Sequence, residues 1–209
     1  MKIERFEVGP LMTNCFLAEC EYTGESVLID PGGLSDRLKK SIINSDLKTI
    51  LLTHGHFDHI GGLNDILKFT SAPVLIHELD AHMLTDPFQN ASSLMGIQYR
   101  TIEASSLLSD GQEIVCGKST LTVKHTPGHT KGSVSFVSDK EFVFAGDTLF
   151  KLSVGRWDLP GGSYAALLES IRKTFLPMPD YMKVYPGHGD STTIGYEKKY
   201  NQFMAADIV

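Results

Sequence analysis

Apolar and polar positions alternate with a period of two from Met1 to Phe6. The first thirty residues continue as strand-like runs, broken by turn residues at Gly9-Pro10 and Thr23-Gly24 and ending with Val27-Leu28-Ile29-Asp30 at Pro31-Gly32-Gly33. A period of two predicts β-strands, since alternate side chains then share a face. The spacing becomes helical over 35–44, where Ser35 stands ready to cap the first turn. Residues 48–53 read as a buried strand, 59–69 as a helix and 73–77 as a short strand. The stretch 78–106 keeps no clear period and predicts a helix and a long loop. Strands then follow at 112–115, 119–126, 133–137 and 141–145. A helix over 163–175, a strand over 182–185 and a last helix over 194–204 complete the pattern.

Two batches of strands, each closed by helices, predict one α/β domain spanning residues 1–209. In it two sheets pack face to face with helices outside. A hydrophobic content of 42% with 21% charged residues suits such a globular domain, and a net charge of −6 argues against nucleic-acid or anionic-membrane partners. No apolar run approaches the roughly 20 residues that span a bilayer. The first residues alternate instead of forming a signal-peptide core, and Cys15, Cys20 and Cys116 show no C-x-x-C spacing. The expectation is a cytoplasmic protein with reduced thiols.

The chemistry is concentrated after the apolar run Ile50-Leu51-Leu52, in Thr53-His54-Gly55-His56-Phe57-Asp58-His59. Neutral imidazole and carboxylate are ligands of zinc and similar ions. Residues two apart on an extended chain point the same way, so His54 and His56 suit one ion. Asp58 and His59 are adjacent, face differently and suit a second. Three further strand-like runs end in a ligand-type residue beside glycine: Thr126-Pro127-Gly128-His129-Thr130, Phe144-Ala145-Gly146-Asp147-Thr148 and Tyr185-Pro186-Gly187-His188-Gly189. Together these segments offer five histidines and two aspartates, a set that suits two ions sharing one bridging carboxylate.

With these four motifs the chain resembles the metallo-beta-lactamase-fold hydrolases, and among them the glyoxalase II-like group. The resemblance runs from Gly9-Pro10-Leu11-Met12-Thr13-Asn14-Cys15 to the last helix. Its subfamily marks are Gly146-Asp147-Thr148-Leu149-Phe150, the run Gly155-Arg156-Trp157-Asp158-Leu159-Pro160-Gly161-Gly162, and Pro186-Gly187-His188-Gly189. It implies a four-layer αββα sandwich. It implies that His54, His56 and His129 hold a first metal, that Asp58, His59 and His188 hold a second, and that Asp147 bridges. The ions would be divalent, zinc foremost, with iron or manganese chemically alike.

The activity implied is hydrolysis of an acyl thioester such as S-lactoylglutathione by a hydroxide bridging two metals, with Asp58 orienting the attacking water. Asp30 is either a turn-initiating residue or the acceptor that orients a ligating imidazole. Thr53 and Thr148, each beside a ligand, are weaker candidates for such support. His77, His82 and His125 match no ligand motif; His125 stands close enough to His129 to support it. Arg156 corresponds to a basic residue that in glyoxalase II contacts the carboxylate end of glutathione; a salt bridge to Asp158 is the competing reading. Glutathione-specific members carry a helical domain beyond the last ligand, whereas about one helix follows His188, so the compact single-domain members are the better match.

Two alternatives share the fold: a mononuclear iron persulfide dioxygenase, which uses two histidines and one aspartate, and a lactonase or β-lactamase. The partner expected in every case is a small molecule, here a thioester, with no nucleic acid and no membrane.

Overall fold

A computed structural model describes residues 1–139 and 141–204. Strands β1 (Lys2–Val8), β2 (Thr13–Glu19) and β3 (Glu25–Ile29) form an antiparallel meander. Helix α1 (Asp36–Ile43) follows, and Ser35 caps it as expected, its hydroxyl accepting from the Leu38 amide at 3.2 Å. Strands β4 (Asp46–Leu51), β5 (Val74–His77) and β6 (Ser106–Leu108) then add in parallel, giving the sheet order β1-β2-β3-β4-β5-β6. The second sheet contains β7 (Glu113–Cys116), β8 (Ser119–His125), β9 (Val134–Ser138), β10 (Phe142–Gly146), β13 (Lys183–Pro186) and β14 (Thr192–Thr193), in the order β14-β13-β10-β9-β8-β7. A two-stranded ribbon, β11 (Leu149–Phe150) with β12 (Ser153–Val154), projects between β10 and helix α4 (Tyr164–Ser170).

The pleat of the central strands sets the layers. On β2, Cys15 and Leu17 face a cluster that includes Leu38 and Ile42 of α1, while Phe16 and Ala18 face the opposite sheet. On β10, Phe142 and Phe144 face that same inter-sheet core, while Val143 and Ala145 face Leu167 of α4 and Ile194 of helix α5 (Ile194–Tyr200). Three apolar layers therefore separate four layers of structure, helix–sheet–sheet–helix, which is the expected αββα sandwich. Strands buried on both faces, such as β2 and β10, lose the polar alternation of a half-exposed strand. No described helix is long and apolar enough to cross a membrane.

Several elements differ from the sequence reading. The helix expected over 59–69 is divided into α2 (Phe57–Ile60) and α3 (Leu63–Ile66). Between them the chain presses on the Pro31-Gly32-Gly33 turn: the Gly62 amide donates to Pro31 at 2.8 Å, and a Cβ on Gly62 would lie 2.7 Å from Gly33 backbone. Residues 78–106 hold two 3-10 turns, Glu78–Leu84 and Ser92–Met95, and then β6. The helix over 163–175 is α4 followed by a π turn at Ile171–Phe175, and the last helix ends at Tyr200 before a 3-10 turn.

Candidate metal centre

Each ligand-type residue follows a strand at one edge of the sandwich. His54 and His56 come just after β4, Asp58 and His59 lie on α2, His129 follows β8, Asp147 follows β10 and His188 follows β13. Their ligand atoms meet. His129 Nε2 lies 3.2 Å from His54 Nε2 and 2.8 Å from His56 Nδ1. His188 Nε2 lies 3.2 Å from Asp58 Oδ2 and 3.6 Å from Asp147 Oδ2. His59 Nε2 lies 3.4 Å from Asp147 Oδ1 and 3.6 Å from Asp58 Oδ2. Three clusters of ligand atoms, each within 4.8 Å, result: His54-His56-His129, Asp58-His59-His188 and His54-His59-Asp147. Asp147 stands between the two His-rich groups, its Oδ2 also 3.6 Å from His129 Nε2.

The surrounding hydrogen bonds fix where the protons are. Asp30 accepts from the Thr53 amide at 2.8 Å and from the Thr53 hydroxyl at 2.6 Å. With its hydrogen committed, the Thr53 oxygen accepts from His54 Nδ1 at 3.1 Å. His59 Nδ1 donates to Asp30 at 3.0 Å, and His129 Nδ1 donates to the Arg156 carbonyl at 2.6 Å. In the neutral imidazoles, Nε2 of His54, His59 and His129 is therefore a bare lone pair aimed inward. His59 Nε2 and Asp147 Oδ1 are both buried without a hydrogen-bond partner among the described groups. With His59 neutral, two acceptors would face each other there, an arrangement relieved by a proton on Nε2 or by a metal cation between them. The residues fit divalent metal.

Protonation follows the same field. Burial, then the neighbouring imidazoles, pushes His54 well below the ordinary histidine range. His56 is lowered to about 3, again chiefly by burial and His129. Both are kept neutral, as ligation requires. Burial works against charge on His59 too, but Asp147, Asp58 and Asp30 outweigh it and push the group well up. The same carboxylates that draw a proton there would draw a metal ion. Burial opposes charge on Asp147, yet His59, His129 and His188 hold its carboxyl low.

Asp30 sits where the sequence allowed two readings, and its contacts are those of an orienting acceptor. Its backbone is left-handed at φ 50°, so the turn and the support coincide in one residue. Thr53 shares that support. Thr148 instead bonds Thr126, at 3.2 Å. His125 stacks on His77 with ring centroids 4.4 Å apart and bonds the Lys131 carbonyl, away from the ligands.

Three supports were not singled out from the sequence. Asn14 pins the His188 loop across the two sheets, donating to the Pro186 and Gly189 carbonyls, each at 2.9 Å. Thr13 donates to Asp58 Oδ2 at 3.2 Å. Asp80, buried in the Glu78–Leu84 turn, accepts from the Thr130 hydroxyl at 2.6 Å, the Gly132 amide at 2.7 Å and the Gly55 amide at 3.3 Å. It thereby ties the His54–His56 loop to the His129 loop. Thr13 and Asn14 lay inside a motif already noted; Asp80 lay in the stretch without a period and carried no signal. Gly187 has a plain steric reason, since a Cβ there would fall 2.1 Å from Asp147 Oδ1 and 2.7 Å from the His59 ring.

The sequence profile of the Metallo-beta-lactamase superfamily matches residues 8–188, a span that includes every one of these ligand-type residues. The chain belongs to the metallo-beta-lactamase superfamily. As a member it is a metal-dependent hydrolase with the superfamily's fold. It is similar to the hydroxyacylglutathione hydrolase GloC of Haemophilus influenzae, 32% identical with 98% of each chain covered. The solved BLEG-1 B3 metallo-beta-lactamase superposes with a TM-score of 0.92 at 38% identity, over 98% of this chain and 100% of that one. TTHA1623, solved in a di-iron-bound form, superposes with a TM-score of 0.83 at 35% identity, over 96% of this chain and 99% of that one.

A cleft of about 470 Å³ opens onto His56, Asp58, His129, Asp147 and His188. Arg156 lines it, but its guanidinium grips Asp158 at two points, Nε to Oδ1 at 2.8 Å and a terminal nitrogen to Oδ2 at 2.9 Å.

Proposed function

We propose that this metallo-beta-lactamase superfamily hydrolase cleaves acyl thioesters at a site of two divalent ions, with the chain acting as one domain. The observation that carries the reading is the double ligand set, His54-His56-His129 and Asp58-His59-His188 with Asp147 between, open to one small-molecule cleft. Zinc is the first choice of metal on ligand chemistry, with iron and manganese served by the same donors. When bound, such ions polarise a carbonyl oxygen and bring the pKa of water down to about 7.

The chain's own residues do the rest. Asp30, Thr53 and the Arg156 carbonyl hold protons on the outer imidazole nitrogens, so that the inner ones remain lone pairs. Asp58, at the cleft floor and steadied by Thr13, orients the attacking water as well as serving as a ligand. The reaction adds water across the C–S bond: the acyl carbon gains oxygen and becomes a carboxylic acid, and sulfur leaves as the thiol. S-lactoylglutathione is the reference substrate, in keeping with the likeness to GloC. An acidic thiol such as glutathione would have Arg156 as its one cationic partner among the described residues of the cleft lining, in competition with Asp158.

The likeness to BLEG-1 favours a second reading, hydrolysis of a β-lactam amide at the same site. A persulfide dioxygenase needs only two histidines and an aspartate, and leaves the full second set unused. Assaying metal-loaded protein on thioesters, a β-lactam, a lactone and a persulfide separates these. Thioester turnover exceeding the others by tenfold or more supports the proposal; turnover of the β-lactam alone, or oxygen uptake with a persulfide, rejects it.

A further inference from the structure

Beside the ligand cluster the lining of the cleft is largely apolar, with Leu11, Leu94, Met95, Phe150, Val154 and Leu159 among its residues. Leu94 and Met95 are 62% and 55% exposed and share the lining with Leu11, itself 43% exposed, so exposed apolar surface borders the ligand cluster. Among the described residues, Arg156 is the one ammonium or guanidinium lining the cleft, and its Nε and one terminal nitrogen already bond Asp158. The guanidinium is largely exposed, so a substrate carboxylate meeting it would gain little over its solvation in water. Glutathione carries two carboxylates and an ammonium, and apart from the ligand-type residues the described lining offers them only Arg156 as a charged partner.

We infer that the substrate is a thioester whose acyl group is uncharged, apolar and longer than acetyl. The inference rests on the thioesterase reading and narrows it. Full burial of a methylene is worth roughly fourfold in binding. In a cleft open to solvent on one side about twofold is expected, because only part of each added group leaves water.

The test uses the metal-loaded protein and a series of N-acetylcysteamine thioesters, acetyl, butanoyl and hexanoyl, beside S-lactoylglutathione. kcat/KM should rise about twofold per methylene, so that hexanoyl exceeds acetyl by tenfold or more and also exceeds S-lactoylglutathione. Leu94→Ser combined with Met95→Ser should flatten the series, lowering the hexanoyl-to-acetyl ratio several-fold. Both side chains are exposed, so folding does not depend on them. A flat or falling series, or S-lactoylglutathione as the best substrate, would overturn the inference while leaving thioester hydrolysis standing. An unchanged ratio in the double variant would overturn it too. Hydrolysis of no thioester at all would reject the parent reading, and this one with it.

Discussion

Replacing Asp80 with alanine tests whether the two loops that carry the first ligand set are held by one buried carboxylate. The substitution removes the acceptor of the Gly132 and Gly55 amides and of the Thr130 hydroxyl. Thr130 keeps a second partner in Ser133 at 2.6 Å, so two backbone amides are left stranded. Each stranded donor costs about 1–3 kcal/mol. Some of that is returned, because burial raises the Asp80 carboxyl and the native state no longer has to hold it. A net loss of roughly 2–4 kcal/mol in apoprotein stability follows.

Metal binding should suffer separately. Gly55 lies between His54 and His56, and Thr130 follows His129, so loosening both loops disperses three lone pairs that now converge. Loss of an outer support of this kind lowers metal affinity about 10- to 100-fold. Chelator competition measures the affinity, and thermal unfolding with and without metal measures the stability. Asp80→Asn should recover part of both, since its amide oxygen still accepts from one or two of the three donors. A variant that is less stable yet binds metal within twofold of the parent would refute the argument and leave Asp80 a purely architectural residue.

Asp147→Ala should lower metal content as well as turnover, because both ligand groups lose a shared neighbour; two retained ions with a near-normal rate would make Asp147 a turn residue only. His77 lies below the ordinary histidine range through burial and the stacked His125 ring. Its unfolded pKa is about 6.5, so the unfolded chain binds more protons in acid. The stability it contributes is present above about pH 6.5 and is lost as pH falls from there through the lower folded value. His77→Phe, which keeps a ring in the stack, should flatten that part of the acid limb in denaturant titrations of the apoprotein; an unaltered limb would mean that His77 does not contribute to it.

Much of this molecule was legible because its chemistry is local. His54, His56, Asp58 and His59 stand within six residues, and the strands before His129, Asp147 and His188 announce themselves by apolar runs ending in glycine. The Ser35 cap is likewise a property of one turn. What escaped depended on neighbours distant in sequence. The break between α2 and α3 falls at Gly61-Gly62, whose low helix propensity was a local hint, but its geometry is set by a turn some thirty residues earlier. Asp80 acts on residues 25 and about 50 positions away. The support of His129 by residue 156 comes from a carbonyl, which every residue carries, so side-chain identity gave no hint. Arg156 itself was read both as a substrate anchor and as the partner of Asp158; the ion pair is formed, and it competes with the anchoring role.

The most direct test of a two-ion thioesterase is titration of the apoprotein with zinc, following bound metal and hydrolysis of a neutral thioester in the same sample. Activity that climbs to a plateau at two ions per chain is the predicted result. Full activity at one ion per chain, with the second binding to no effect, would contradict it.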